Sequence, residues 1–187
     1  VGDIKSLSLP QVLAVLEHAW AHSPRNGLMF TLAFRHGLRA SEVVGLTASS
    51  FDVQGDDVFL TVARLKGSSV TTQQLYRHEN PLLDEKQAVL DFIRGMHANQ
   101  RLFPIGRKQC WRLFRRYARA AGIARDLQHP HVLKHSIAME VTPTQGIHVT
   151  KQLLGHKRIS STQVYLQTTD RKAAEAAARA LSGVLNS

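Results

Sequence analysis

Hydrophobic positions along this chain recur at helical spacing, switch to alternation in the middle, and then return to helical spacing. Ser8 ahead of Leu9 and Pro10 reads as a helix start, and Val12, Leu13, Leu16, Ala19 and Trp20 share one face of a helix running to about His22. Residues 26–36 predict a second apolar helix stopped at Gly37, after which Ser41 is placed to cap a short helix from Glu42 to Leu46. Arg39 therefore falls at a helix–helix junction. From Phe51 to Gln74 the period becomes two: Val53, Val58, Leu60 and Val62 alternate around a turn at Gly55, and a second turn at Lys66-Gly67-Ser68 precedes Val70 to Leu75. This predicts a small antiparallel sheet with Lys66 on its hairpin.

Helical spacing resumes at Asp84, expected to cap a helix reaching about Met96. The segment 108–121 is the clearest amphipathic pattern. Cys110, Trp111, Phe114, Tyr117, Ala118 and Ala121 line one face, while Arg112, Arg115, Arg116 and Arg119 line the other. Further on, Pro143 is expected to end the helix that carries His131 and Lys134. An Ala-rich tail predicts a terminal helix at about 170–185. The element order gives a mainly α chain of α+β class with a small antiparallel β-sheet.

Composition narrows this picture. With 187 residues and 43% hydrophobic content, one domain with an appended terminal helix is the simplest reading. The polar start without Met predicts an upstream domain outside this sequence. The 24 Lys and Arg against 14 Asp and Glu leave a net charge of +10, which favours a polyanionic partner: nucleic acid first, an anionic membrane surface second. Cys110 is the single cysteine, so an intramolecular disulfide and a Cys-rich zinc site are both excluded. Without a long apolar run or signal-peptide pattern, a soluble cytoplasmic protein is expected.

Charge and chemistry then converge on phosphate. The four arginines, with Lys108 at the start of the same helix, suit contacts to a DNA backbone; a merely solvated basic face is the alternative. In HPHVLKHSIAMEV and LLGHKRISSTQVYLQ, His131, Lys134, His156 and Tyr165 supply cations and proton donors around one phenolic nucleophile. The pattern contains no carboxylate metal cage, so chemistry without metal or cofactor is expected. His129 and His135 read as structural, because His135 directly follows Lys134 and should point away from it on a helix.

Five stretches in order, GLRASEVVGL, RLKGSS, the basic helix ending in RAAGI, HPHVLKHSIA and LLGHKRISSTQVY, resemble the tyrosine recombinase (phage integrase) family over nearly the whole chain. The resemblance implies a helical catalytic domain in which Tyr165 attacks a DNA phosphate, forms a 3′-phosphotyrosine and frees a 5′-hydroxyl. Arg39 would grip the non-bridging oxygens, or pair with Glu42 one turn on, or both. Lys66 would protonate the leaving oxygen, and His131 and His156 would handle protons or donate to phosphoryl oxygens. Lys134 departs from the family's His-x-x-Arg pattern, keeping the charge and losing the planar fork. This leaves a slow recombinase, a site tuned to lysine, an engineered mutant and a DNA binder with impaired chemistry all open. Pro143 and the nearby Gly146 are a second departure. The implied partners are double-stranded DNA and further copies of the chain as a tetramer on DNA, with the tail helix docking on a neighbour or on its own domain. A type IB topoisomerase is the competing enzyme.

Overall fold

The computed structural model describes residues 4–65 and 68–166. Helix α1 (Leu9–His22) begins where Gln11 Oε1 accepts from both the backbone N–H and the hydroxyl of Ser8. Helix α2 (Pro24–Arg35) starts two residues earlier than its apolar run suggests. The Ser23 hydroxyl accepts from the Asn26 N–H, and Pro24 occupies a first-turn position that needs no donor. Every residue from Asn26 to Phe34 is buried, so α2 is the central helix, and α1 packs along it.

The short helix α3 spans Ala40–Val43 and is capped by Arg39 rather than Ser41. Glu42 explains the shift, because its carboxylate folds back to accept the Arg39 backbone N–H at 2.8 Å. Strands β1 (Phe51–Gln54), β2 (Asp57–Val62) and β3 (Thr71–Gln74) form an antiparallel sheet in that order, with Phe51 opposite Leu60 and Val62 opposite Thr71. Val58, Leu60 and Val62 face inward as their alternation requires, while Val53 is exposed. Lys66 lies outside the described residues.

Helix α4 (Glu85–Ile93) ends before Met96; Asp84 stands at its N-cap as expected, but its carboxylate pairs with Arg77 at 2.9 Å and makes no capping hydrogen bond. The buried Glu85 instead holds Arg35 and His36 at 2.9 Å each, tying α4 to the end of α2. Helix α5 (Arg107–Ala120) buries Cys110, Leu113, Phe114, Tyr117 and Ala118. Phe114 and Tyr117 meet Phe30 edge-on, and the Tyr117 hydroxyl accepts from Asn26 at 2.7 Å. Trp111 falls outside this face, exposed and covered by the Arg115 guanidinium 5.3 Å from its ring.

Helix α6 runs from His131 to Leu154, so Pro143 does not end it. Proline removes one backbone donor, and the Thr142 hydroxyl donates back to the Ala138 carbonyl a turn earlier. The break comes three residues later, at Gly146, whose φ of 85° and ψ of 167° are non-helical. Ser136 anchors α6 to the start of the chain by accepting the Leu7 N–H at 2.8 Å. Helix α7 (Ser160–Gln163) follows, and the tail helix expected at 170–185 lies outside the described residues. The fold is mainly helical with one small antiparallel sheet, and no described helix is long and apolar enough to cross a membrane.

Candidate active site

Two close backbone approaches set the site. The φ of Gly37 is 57°, and a Cβ there would stand 2.5 Å from Leu154; the φ of Gly155 is 67°, and a Cβ there would meet the Ser69 carbonyl at 2.9 Å. Only glycine fits either place without strain. The turn before Arg39 and the turn before His156 therefore pack against each other, and against the sheet connection.

A buried arginine locks them together. Arg64 Nη2 donates to the carbonyls of His36 (2.8 Å) and Leu153 (3.0 Å), Nη1 donates to the Gly37 carbonyl (3.1 Å), and Nε donates to the Thr71 hydroxyl (2.9 Å). Its Nη1 also lies 3.3 Å from Glu42. Glu42 further accepts from Arg39 Nη1 at 2.8 Å and from the Leu65 N–H at 3.1 Å. Burial pushes the Glu42 carboxyl upward, but the hydrogen bonds from Arg39 and Leu65 and the Arg64 charge outweigh it and hold it below its usual range. Arg64 was missed by sequence reasoning, although it continues the inward series Val58, Leu60, Val62 by one more step of two. Removing one member of such a buried pair strands the other. An Arg64→Met variant is expected to lose about 3–5 kcal/mol of unfolding free energy in a urea titration. A loss below about 1 kcal/mol would mean that the site is organised without it.

Arg39, His131, Lys134, His156 and Tyr165 line one cavity of about 480 Å³. Ser68 lines it too, and the two sides of the sheet connection are tied down at Leu65 by Glu42 and at Ser69, whose N–H donates to the Gly155 carbonyl. Lys134 is only 2% exposed, with Nζ donating to the carbonyls of Gly37 (3.1 Å) and Leu154 (3.3 Å). Burial first, then the charges of Arg39 and Arg64, lower its pKa to about 7 against a smaller opposing pull from Glu42. Burial together with Lys134, Arg39 and Arg64 lowers His156 to about 4, so the ring is neutral near neutral pH. Its Nδ1 is 2.9 Å from the Thr162 hydroxyl, which leaves Nε2 for a ligand.

Tyr165 is 3% exposed and packs on Ala138 and Leu154. Burial raises its phenol to about 12, and Arg39 offsets this only in part. His135, expected to point away, lines the same cavity and stands with Nδ1 2.9 Å from the Tyr165 hydroxyl. The expectation failed because successive helical residues point about 100° apart. Lys134 turns to the buried carbonyls, His135 to the tyrosine, and both border one cavity. The His135 ring also meets His131 edge-on at 4.5 Å.

A second cleft of about 800 Å³ adjoins this cavity and shares Arg39 and His131 with it. Lys108 and Arg112 line this cleft, as do Arg107, Trp111 and His129. Arg115 is spent on Trp111, and Arg116 and Arg119 are exposed without lining the cleft, so the basic face divides into two groups. Among the described residues, no three His, Cys, Asp or Glu side chains converge as a metal site.

A family model described as the phage integrase family matches residues 5–172. The sequence is 32% identical to tyrosine recombinase XerA of Pyrococcus furiosus, covering 94% of this chain and 62% of that protein. It is 30% identical to tyrosine recombinase XerD of Xanthomonas campestris pv. campestris, covering 86% of this chain and 54% of that one. The chain thus spans between half and two thirds of these relatives. The same fold occurs in a crystal structure of XerA recombinase (TM-score 0.73, 24% identity, 96% of this chain and 66% of that one). It also occurs in XerH recombinase bound to its difH substrate before cleavage (TM-score 0.74, 16% identity, 93% and 54%).

Proposed function

The chain belongs to the phage integrase family of tyrosine recombinases, and from that premise we propose that it cuts and rejoins duplex DNA through a 3′-phosphotyrosine bond. The observation that carries this reading is the convergence of Arg39, His131, Lys134, His156 and Tyr165, from four separate parts of the chain, on one cavity. The Arg39 guanidinium, steered by Glu42, and the neutral His156 ring stabilise the charge that builds on the non-bridging oxygens. Tyr165 takes the phosphoryl group, and Lys66, from the connection tied at Leu65 and Ser69, protonates the departing 5′ oxygen. The phosphotyrosine stores the energy of the broken bond, so rejoining needs neither nucleotide nor metal.

The cleft beside the cavity receives the duplex, with Lys108 and Arg112 on its phosphates. A Lys108→Ala/Arg112→Ala variant is expected to lower the slope of log affinity against log salt by about two, one for each lost phosphate contact. Arg116→Ala/Arg119→Ala should change it less. Equal slopes in the two double variants would contradict this placement.

Four copies acting on two sites exchange strands, whereas a topoisomerase reseals the strand it cut. Incubating the chain with two labelled duplexes, and in parallel with supercoiled plasmid, separates the two activities. Recombinant product supports the proposal; relaxation without exchange supports the topoisomerase reading. Two observations favour a binding module instead: two of the three Lys134 donors are taken by carbonyls, and Tyr165 is buried. Sequence-selective binding without either product would establish that alternative.

A further inference from the structure

The family resemblance gives His131 and His156 proton handling or donation to phosphoryl oxygens, yet a different side chain touches the Tyr165 hydroxyl. His156 has its Nδ1 engaged with Thr162, and His131 meets the ring of His135. His135 is the side chain whose ring nitrogen lies 2.9 Å from the Tyr165 hydroxyl. Resting on the recombinase reading above, the geometry points to His135 as a catalytic residue, the base that takes the proton of Tyr165 as it attacks phosphorus.

The groups around His135 keep it uncharged at rest and lower its proton affinity. Burial, then His131, Lys134, His129 and His156, lower its pKa to about 4, so near neutral pH the ring is uncharged and one nitrogen is free to accept. The phenol, raised to about 12, holds its proton at rest and needs a neighbour to take it. A base crowded by cations gains proton affinity when a phosphodiester brings negative charge into the cavity, so transfer is coupled to substrate binding. In the step itself, the Tyr165 oxygen bonds to phosphorus while its hydrogen passes to His135 Nδ1. The bond from phosphorus to the 5′ oxygen breaks, and that oxygen takes a proton from the general acid assigned to Lys66. In rejoining, the 5′-hydroxyl attacks phosphorus and gives its proton back to that general acid, while the bond from phosphorus to Tyr165 breaks and His135 returns its proton to the departing phenolate. The edge contact with His131, which borders both cavities, holds the His135 ring in place.

The test uses the full chain and a pool of nicked duplexes randomised on both sides of the nick, recovered as detergent-stable protein–DNA adduct. On a duplex so selected, His135→Ala should slow single-turnover adduct formation about 100-fold, with DNA affinity and thermal midpoint little changed. Incorporating 3-fluorotyrosine at position 165, whose phenol ionises more readily, should restore at least about 10-fold in the His135→Ala background and do little in the wild type. His135→Gln, which keeps volume and an acceptor oxygen but takes no proton, should be similarly slow and covers the case in which the alanine variant misfolds. A wild-type rate in either variant overturns the assignment, as does a slow rate that fluorotyrosine leaves unchanged. No adduct from the wild-type chain overturns the recombinase reading itself.

Discussion

Tyr165→Phe is expected to reduce covalent protein–DNA adduct to background while leaving DNA affinity and the folded state nearly untouched. The substitution removes one oxygen. The ring stays packed on Ala138 and Leu154 of α6, and the lost hydrogen bond to His135 costs only about 1 kcal/mol. The chemistry loses its nucleophile outright, because the proposed intermediate is an ester of that oxygen. The comparison is made on a nicked duplex that traps the adduct, with binding measured alongside by mobility shift. Adduct of wild-type yield in the variant would place the covalent bond on another residue and remove the basis of the proposed reaction.

The second large effect concerns Lys134. Its ammonium joins the Gly37 and Leu154 carbonyls, each two residues ahead of a side chain that lines the site, Arg39 and His156. Two of its three donors are thereby used, and the third is left for a phosphoryl oxygen. Lys134→Met removes the charge and the clamp together and is expected to slow cleavage by ~10²–10³-fold, the cost of losing one oriented donor to the transition state. With its pKa at about 7, the lysine is charged below that pH and loses its proton as pH rises through it. At sub-saturating DNA, cleavage should therefore fall above about pH 7. Lys134→Arg, which stays charged, should abolish that fall across the same range. A Lys134→Met chain that cleaves at the wild-type rate would mean that position 134 does not serve the phosphate. An unaltered pH profile in Lys134→Arg would assign the fall to another group.

Much of the fold is legible because it is local. The spacing of Val12, Leu16 and Ala19, the alternation of Val58, Leu60 and Val62, and the stop at Gly37 depend on residues within a few positions of one another. Errors fall where a distant or side-chain contact overrides the local rule. Glu42 moves the start of α3 to Ala40, Arg77 takes the carboxylate of Asp84 though that residue keeps its N-cap place, and α6 passes through Pro143 to break at Gly146.

The order of Arg39, Lys66, His131, Lys134, His156 and Tyr165 along the chain was enough to identify the family, and five of these residues, Arg39, His131, Lys134, His156 and Tyr165, line the cavity. Tertiary structure alone decided what those residues touch. Lys134 meets a carbonyl 97 positions away, Arg64 meets one 89 positions away, and His135 meets a phenol 30 positions away. Every residue carries the same backbone carbonyl, so no spacing or residue type in the sequence announces which one a buried lysine or arginine will hold.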